Sequence, residues 1–98
     1  MAISNIPNMA DGKYFRKIYV QGNGSADVQI GNEKAYLITM VTSDNESGRA
    51  IVIMRRGSNI SLLEVAKGSY QSYFTETLSN NVWHIECRYY TMVSIIEF

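Results

Sequence analysis

Apolar residues in this chain come in short runs divided by Gly, Asn, Asp and Ser. That pattern predicts strands joined by tight turns. From Lys13 onward it predicts eight of them: Tyr14 to Val20, Ala26 to Ile30, Lys34 to Thr42, Gly48 to Arg56, Asn59 to Val65, Tyr70 to Thr77, Val82 to Cys87 and Tyr90 to Phe98. Gly-Asn and Asn-Gly steps supply the positive φ that hairpins require. Ser61 to Lys67 (SLLEVAK) is the one segment with helical character. It is too short to stand as a helix alone, and its β-rich neighbours make it a strand. The expected fold class is all-β: about eight short antiparallel strands in a jelly-roll-like sandwich of two sheets.

Two runs depart from simple alternation. In AYLITMVT, Tyr36, Ile38 and Met40 share one face while Ala35, Leu37 and Val41 share the other. In RAIVIM, Ala50, Val52 and Met54 lie opposite Ile51 and Ile53. Successive strand side chains point to opposite faces, so both faces of these strands require cover. No helix is available to lay over the sheet, and a second copy of the protein is the expected cover. Leu37, Val41, Ile51 and Ile53 are the expected oligomer contacts.

Residues 1–12 contain the only proline, Pro7, and show neither strand nor helix periodicity. They are read as an extended lead-in or the stub of a stalk, with the sandwich domain occupying residues 13–98. The start of the chain lacks a basic segment followed by an apolar core, so no secretory signal is expected. No run approaches the ~20 apolar residues of a membrane helix, so no membrane insertion is expected either.

Composition sharpens the picture. Nine basic and nine acidic residues balance to a net charge of zero, which gives no electrostatic reason to expect a nucleic-acid partner. Charged residues make up only 18% of the chain, and polarity comes instead from Ser, Asn and seven Tyr. Such a surface suits burial between subunits or a neutral polar ligand such as a sugar. One cysteine excludes an intrachain disulfide.

Candidate chemistry is sparse. Cys87 and His84 are the sole nucleophile and base of their kinds, but three positions apart on a strand they face opposite ways, out of hydrogen-bonding reach. They are also too few for zinc. Asp44 and Glu46 fall short of the six to eight oxygens calcium takes. The Gly22 to Ser25 turn joins strands rather than opening a helix, so it is no phosphate cradle. No catalytic residue, metal or cofactor is expected. Arg49, Arg55, Arg56, Lys67 and Arg88 read as partners for Glu64, Glu76 or Glu86 on neighbouring strands rather than as an RNA surface. The remaining candidates are aromatic and amide side chains: Tyr70, Tyr73, Asn80, Asn81, Trp83, Tyr89 and Tyr90. Of these, Tyr70, Tyr73, Asn80 and Asn81 are the predicted ligand-binding set, since a tyrosine face and an amide suit a sugar ring and its hydroxyls. Trp83, between Val82 and a following His-Ile pair, equally suits the core.

The apolar strand AYLITMV, its small polar turn, the second apolar strand AIVIM, a Ser/Asn-rich middle, the strand NNVWHIE and a final apolar strand together span about two thirds of the chain. This rhythm resembles the distal β-sandwich tip or receptor-binding domains of bacteriophage tail fibres. The resemblance implies a homotrimeric knob on the virion that recognises a bacterial surface structure, often a polysaccharide, without doing chemistry on it. Two other functions fit the composition: a free-standing carbohydrate-binding module or lectin, and a small intracellular β-barrel regulator or enzyme. The mass in solution separates them, because only the fibre tip requires a trimer.

Overall fold

In a computed structural model, residues 15–43 and 47–98 are described. The lead-in expected over residues 1–12 and the Asp44–Glu46 pair lie outside them. Among the described residues there are eight strands: β1 (Phe15–Val20), β2 (Gly24–Gln29), β3 (Lys34–Thr42), β4 (Gly48–Arg56), β5 (Asn59–Lys67), β6 (Phe74–Ser79), β7 (Val82–Cys87) and β8 (Thr91–Glu97). The sandwich is all-β, as the pattern predicts. Its sheets are antiparallel and unequal, with order β1-β8-β3-β4-β5 in the larger and β2-β7-β6 in the smaller.

The differences from the predicted boundaries have local causes. Tyr70 is not the start of a strand. It sits in the left-handed region at φ 56° and ψ 46°, a 3₁₀ turn follows over Gln71–Tyr73, and β6 begins only at Phe74. The segment SLLEVAK is strand throughout, and β5 runs on to Lys67 with a register irregularity opposite Ala50 and Ile51.

One fully buried core lies between the sheets. The larger sheet contributes Tyr36, Ile38, Met40, Ile51, Ile53, Val93 and Ile95; the smaller contributes Val28, Trp83, Ile85 and Cys87. This arrangement redraws the expected oligomer contacts. Tyr36 pairs with Ile53 and Ile38 with Ile51, so both β4 isoleucines point inward and have no exposed surface. The sandwich itself covers Ile51 and Ile53, which removes them from any surface. Leu37 and Val41 alternate to the outer face, where their cross-strand partners are Val52 and Gly48.

The smaller sheet behaves differently. Its strands alternate between an inner apolar and an outer polar face, with Asp27 paired to His84 and Ser25 to Glu86 on the outside. His84 is therefore on the surface while Cys87 is in the core.

Candidate functional site

Antiparallel pairing decides which loops meet. The hairpin between β6 and β7 turns through Asn80 and Asn81, both at positive φ (51° and 62°), which is the backbone requirement of a tight two-residue hairpin turn. Because β6 then runs alongside β7, the segment before β6 is brought beside the segment after β7. Arg88 N–H donates to Tyr73 C=O at 2.9 Å, and Asn23 N–H donates to Cys87 C=O at 2.8 Å. One end of the sandwich therefore gathers the β1–β2 turn, the β5–β6 connection and the β7–β8 corner.

The predicted ligand set is divided by this geometry. Tyr70 and Tyr73 lie at the gathered end. Asn80 and Asn81 lie at the other end of β6, about 20 Å away at ~3.4 Å per residue. The asparagines serve the turn, and Asn81 C=O accepts from Ile30 N–H at 2.8 Å. Trp83 is fully buried and supplies no platform.

Other aromatics join the two tyrosines. Tyr70 and Tyr73 stack with centroids 5.3 Å apart and 11° between planes, and Tyr89 meets Tyr73 edge-on at 4.6 Å. The Arg88 guanidinium lies 5.6 Å from the Tyr89 ring centre. Tyr19 and Tyr90 approach at 6.2 Å. Tyr70 is 57% exposed and Tyr89 42%, so the corner presents wet ring faces rather than buried packing. Beside it lies a groove of about 280 Å³ whose walls include Asn23, Ser72, Tyr73, Thr75, Glu86 and Arg88. These are the donors and acceptors that would meet hydroxyl groups.

The corner is held in place by backbone bonds. A non-glycine residue in the left-handed region costs on the order of 1–2 kcal/mol. Tyr70 is kept there because its C=O accepts from Tyr73 N–H at 3.0 Å and from the Ser47 hydroxyl at 3.2 Å. The same hydroxyl bonds Ser69 C=O. Gln71 Nε2 adds bonds to Gly48 C=O at 2.9 Å and Gly68 C=O at 3.0 Å.

Charged side chains elsewhere find one another. Arg49 bonds Glu64 at 2.8 Å and also Glu76, and Glu76 in turn accepts from Trp83 Nε1 at 2.5 Å. Burial works against the Arg49 charge, but the bonds to the two glutamates outweigh it and raise its pKa. The Arg49 bond holds Glu64 below the usual carboxylate range. Arg55 instead caps the carbonyls of Ile30 (2.7 Å) and Gly57 (2.9 Å). On the smaller sheet, His84 lies between Asp27 (2.5 Å) and Glu86 (3.2 Å), chiefly the Asp27 bond raising its pKa, with Glu86 second. Burial pushes the Cys87 thiol up. Among the described residues no group of three or more His, Cys, Asp and Glu is placed to hold a metal, and no helix is long and apolar enough to cross a membrane.

The signal for Arg88 and Tyr89 was present in the sequence as topology. A two-residue turn at Asn80–Asn81 places whatever precedes β6 next to whatever follows β7, which selects Arg88 and Tyr89 over the asparagines.

No family model matches the chain, and no curated protein matches it. Among solved structures it is similar to the tailspike protein gp49 of Acinetobacter baumannii bacteriophage Fri1, a capsular polysaccharide depolymerase, with a TM-score of 0.62 at 8% identity. The match covers 85% of this chain and 16% of that chain, so the sandwich corresponds in fold to about one sixth of the tailspike.

Proposed function

We propose that the chain is a tail-associated domain of a bacteriophage virion that binds a bacterial surface polysaccharide without cleaving it, working as a homo-oligomer, a trimer by analogy with fibre tips. The observation that carries this reading is the exposed corner of Tyr70, Tyr73 and Tyr89 beside a groove walled by Asn23, Ser72 and Thr75. Flat apolar ring faces edged by hydroxyl and amide groups suit sugar rings, and a rigid sandwich end holds adaptable polar groups in loops. The fold likeness to a tailspike that acts on capsular polysaccharide supports the same ligand class. The make-up of the groove supports binding over cleavage: Glu86 is the one carboxylate among its lining residues, whereas glycoside hydrolysis ordinarily uses a pair flanking the bond.

Titration of the full chain against a panel of bacterial capsular polysaccharides tests this. The expected result is binding that Tyr73→Ala or Tyr89→Ala weakens at least about tenfold, equivalent to ~1.4 kcal/mol. Affinity should change little with salt, since no counterions are released between uncharged groups. No new reducing ends should appear. Binding untouched by both substitutions, or a steep salt dependence that Arg88→Ala abolishes, would remove the aromatic corner from the site.

A further inference from the structure

The outer face of the larger sheet carries a continuous apolar row and few charges. In register across all five strands, Phe15 pairs with Ile96, Ile96 with Leu37, Leu37 with Val52 and Val52 with Leu63. A second row runs Tyr19, Met92, Val41, Gly48, and between them lies a row of small or neutral residues, Ser94, Thr39, Ala50 and Ala66, with Lys17 at its rim. Among the described residues, alternation leaves Lys17 and Arg56 as the charges on this face, both at its margins. The far edge is the most open part, with Leu63 63% and Val65 57% exposed.

We infer that this face is where copies of the chain meet, with the row Phe15, Ile96, Leu37, Val52 and Leu63 at its centre. The inference deepens the assembly part of the reading above and does not depend on what the aromatic corner binds. Three considerations select a second copy as the occupant. The first is area. Five strands at ~4.8 Å spacing and about seven residues at ~3.4 Å make a flat patch on the order of 550 Å² before side-chain relief. That approaches the ~600 Å² or more per partner of specific interfaces and sits at the upper end of what monomers leave exposed. The second is shape, because a largely apolar sheet face is best covered by other such faces, and the chain's own smaller sheet is already used on the inside. The third is charge, since the chain has no net charge and the two cations of this face lie at its margins, away from the central row where copies would meet. Tyr70, Tyr73 and Tyr89 lie on the loops at the sandwich end, so a ligand on these three and a copy on the face do not compete for the same residues.

Sedimentation or light scattering on the full chain at micromolar concentration is expected to give a multiple of 11.1 kDa. Val52→Glu and Leu37→Glu should each raise the dissociation constant at least a hundredfold and release the 11.1 kDa monomer, whereas Thr77→Glu on the polar sheet should leave the assembly unchanged. Val52→Cys keeps the fold irrespective of how the charged variants behave. Its introduced thiol should be protected from maleimide in concentrated protein and become reactive on dilution, with buried Cys87 as the internal control. A wild-type monomer at high micromolar concentration, or an introduced thiol equally reactive at every concentration of the Val52→Cys protein, overturns the inference. Monomeric Val52→Glu protein that still binds polysaccharide would confirm this face and leave the ligand reading standing; assembled protein that binds none would sink only the latter.

Discussion

Glu76→Ala should be among the most damaging single changes outside the apolar core. Glu76 lies on β6 and joins the two sheets: one oxygen bonds Arg49 of β4, the other accepts from the indole N–H of Trp83. Trp83 is fully buried, so truncating Glu76 removes the acceptor of its N–H. An orphaned buried donor costs about 1–3 kcal/mol, and loss of a bond to a charged donor adds roughly 1 kcal/mol, since Arg49 keeps Glu64. The expected total is about 2–4 kcal/mol, which for a domain of this size lowers Tm by roughly 10–25 °C. Glu76→Gln retains an acceptor and should cost about half as much. Trp83 is the only tryptophan, so its fluorescence reports unfolding in denaturant directly, at fixed protein concentration because assembly adds stability. In a double-mutant cycle, Trp83→Phe combined with Glu76→Ala should be less damaging than the sum of the singles by about 1–2 kcal/mol, because removing both partners leaves no orphan. A Glu76→Ala protein within about 0.5 kcal/mol of wild type, or strict additivity in the cycle, would refute the reasoning.

Two further expectations follow from single residues. His84 has a folded pKa raised above its usual value, chiefly by the bond to Asp27 and then by Glu86. Its stabilising contribution is therefore fully present below the unfolded value near pH 6.5 and is lost as pH rises through the folded pKa. Unfolding midpoints measured across that window should fall with pH in wild type and lose this component in His84→Asn; an identical slope in both proteins would dismiss the Asp27–His84–Glu86 contact. Cys87, buried and with its thiol pushed up, should react slowly with thiol reagents in the native state. Cys87→Ser should cost on the order of 1 kcal/mol by burying a hydroxyl, and should leave polysaccharide binding intact. Lost binding in a folded Cys87→Ser protein would place the thiol in the site.

Strand content was legible because turn chemistry and β-branched runs agree along the chain. Asn80–Asn81, Gly57–Ser58 and the glycine-flanked Asn23 sit where the chain reverses. Arg49's pairing with Glu64 was equally readable as charge placement on a neighbouring strand, whereas its second partner, Glu76, comes from the opposite sheet. What strand periodicity cannot give is which of two apolar faces is the inner one. Ile51 and Ile53 look no different from Val52 in RAIVIM, and only the register with Tyr36 and Ile38 sends them inward. The predicted ligand set divides for a related reason. Tyr70, Tyr73, Asn80 and Asn81 are close in sequence but span the length of β6, whereas Arg88 and Tyr89 are distant in sequence and adjacent in space.

The inequality of the two sheets links these observations. Three strands cannot cover five, and β5 is the strand that the smaller sheet leaves out. The side chain of Glu64, on its inward side, remains about one third exposed, while Ile60 and Leu62 are only partly buried. The smaller sheet can therefore carry a hydrated outer face of Ser25, Asp27, Thr77, His84 and Glu86, because its inner side chains, Val28, Trp83 and Ile85, are completely enclosed. The larger sheet has the opposite character, apolar on both sides over its central strands, and an apolar row of five whose members are partly exposed, Leu63 most of all, is a standing cost to an isolated monomer at about 25 cal/mol per Å². Polar groups and apolar cover are thus segregated to opposite sides of one small sandwich. That segregation leaves the loop end, with Tyr70, Tyr73 and Tyr89, as a place where aromatic surface is both exposed and flanked by hydrogen-bonding groups, which is the feature the proposed sugar-binding reading rests on.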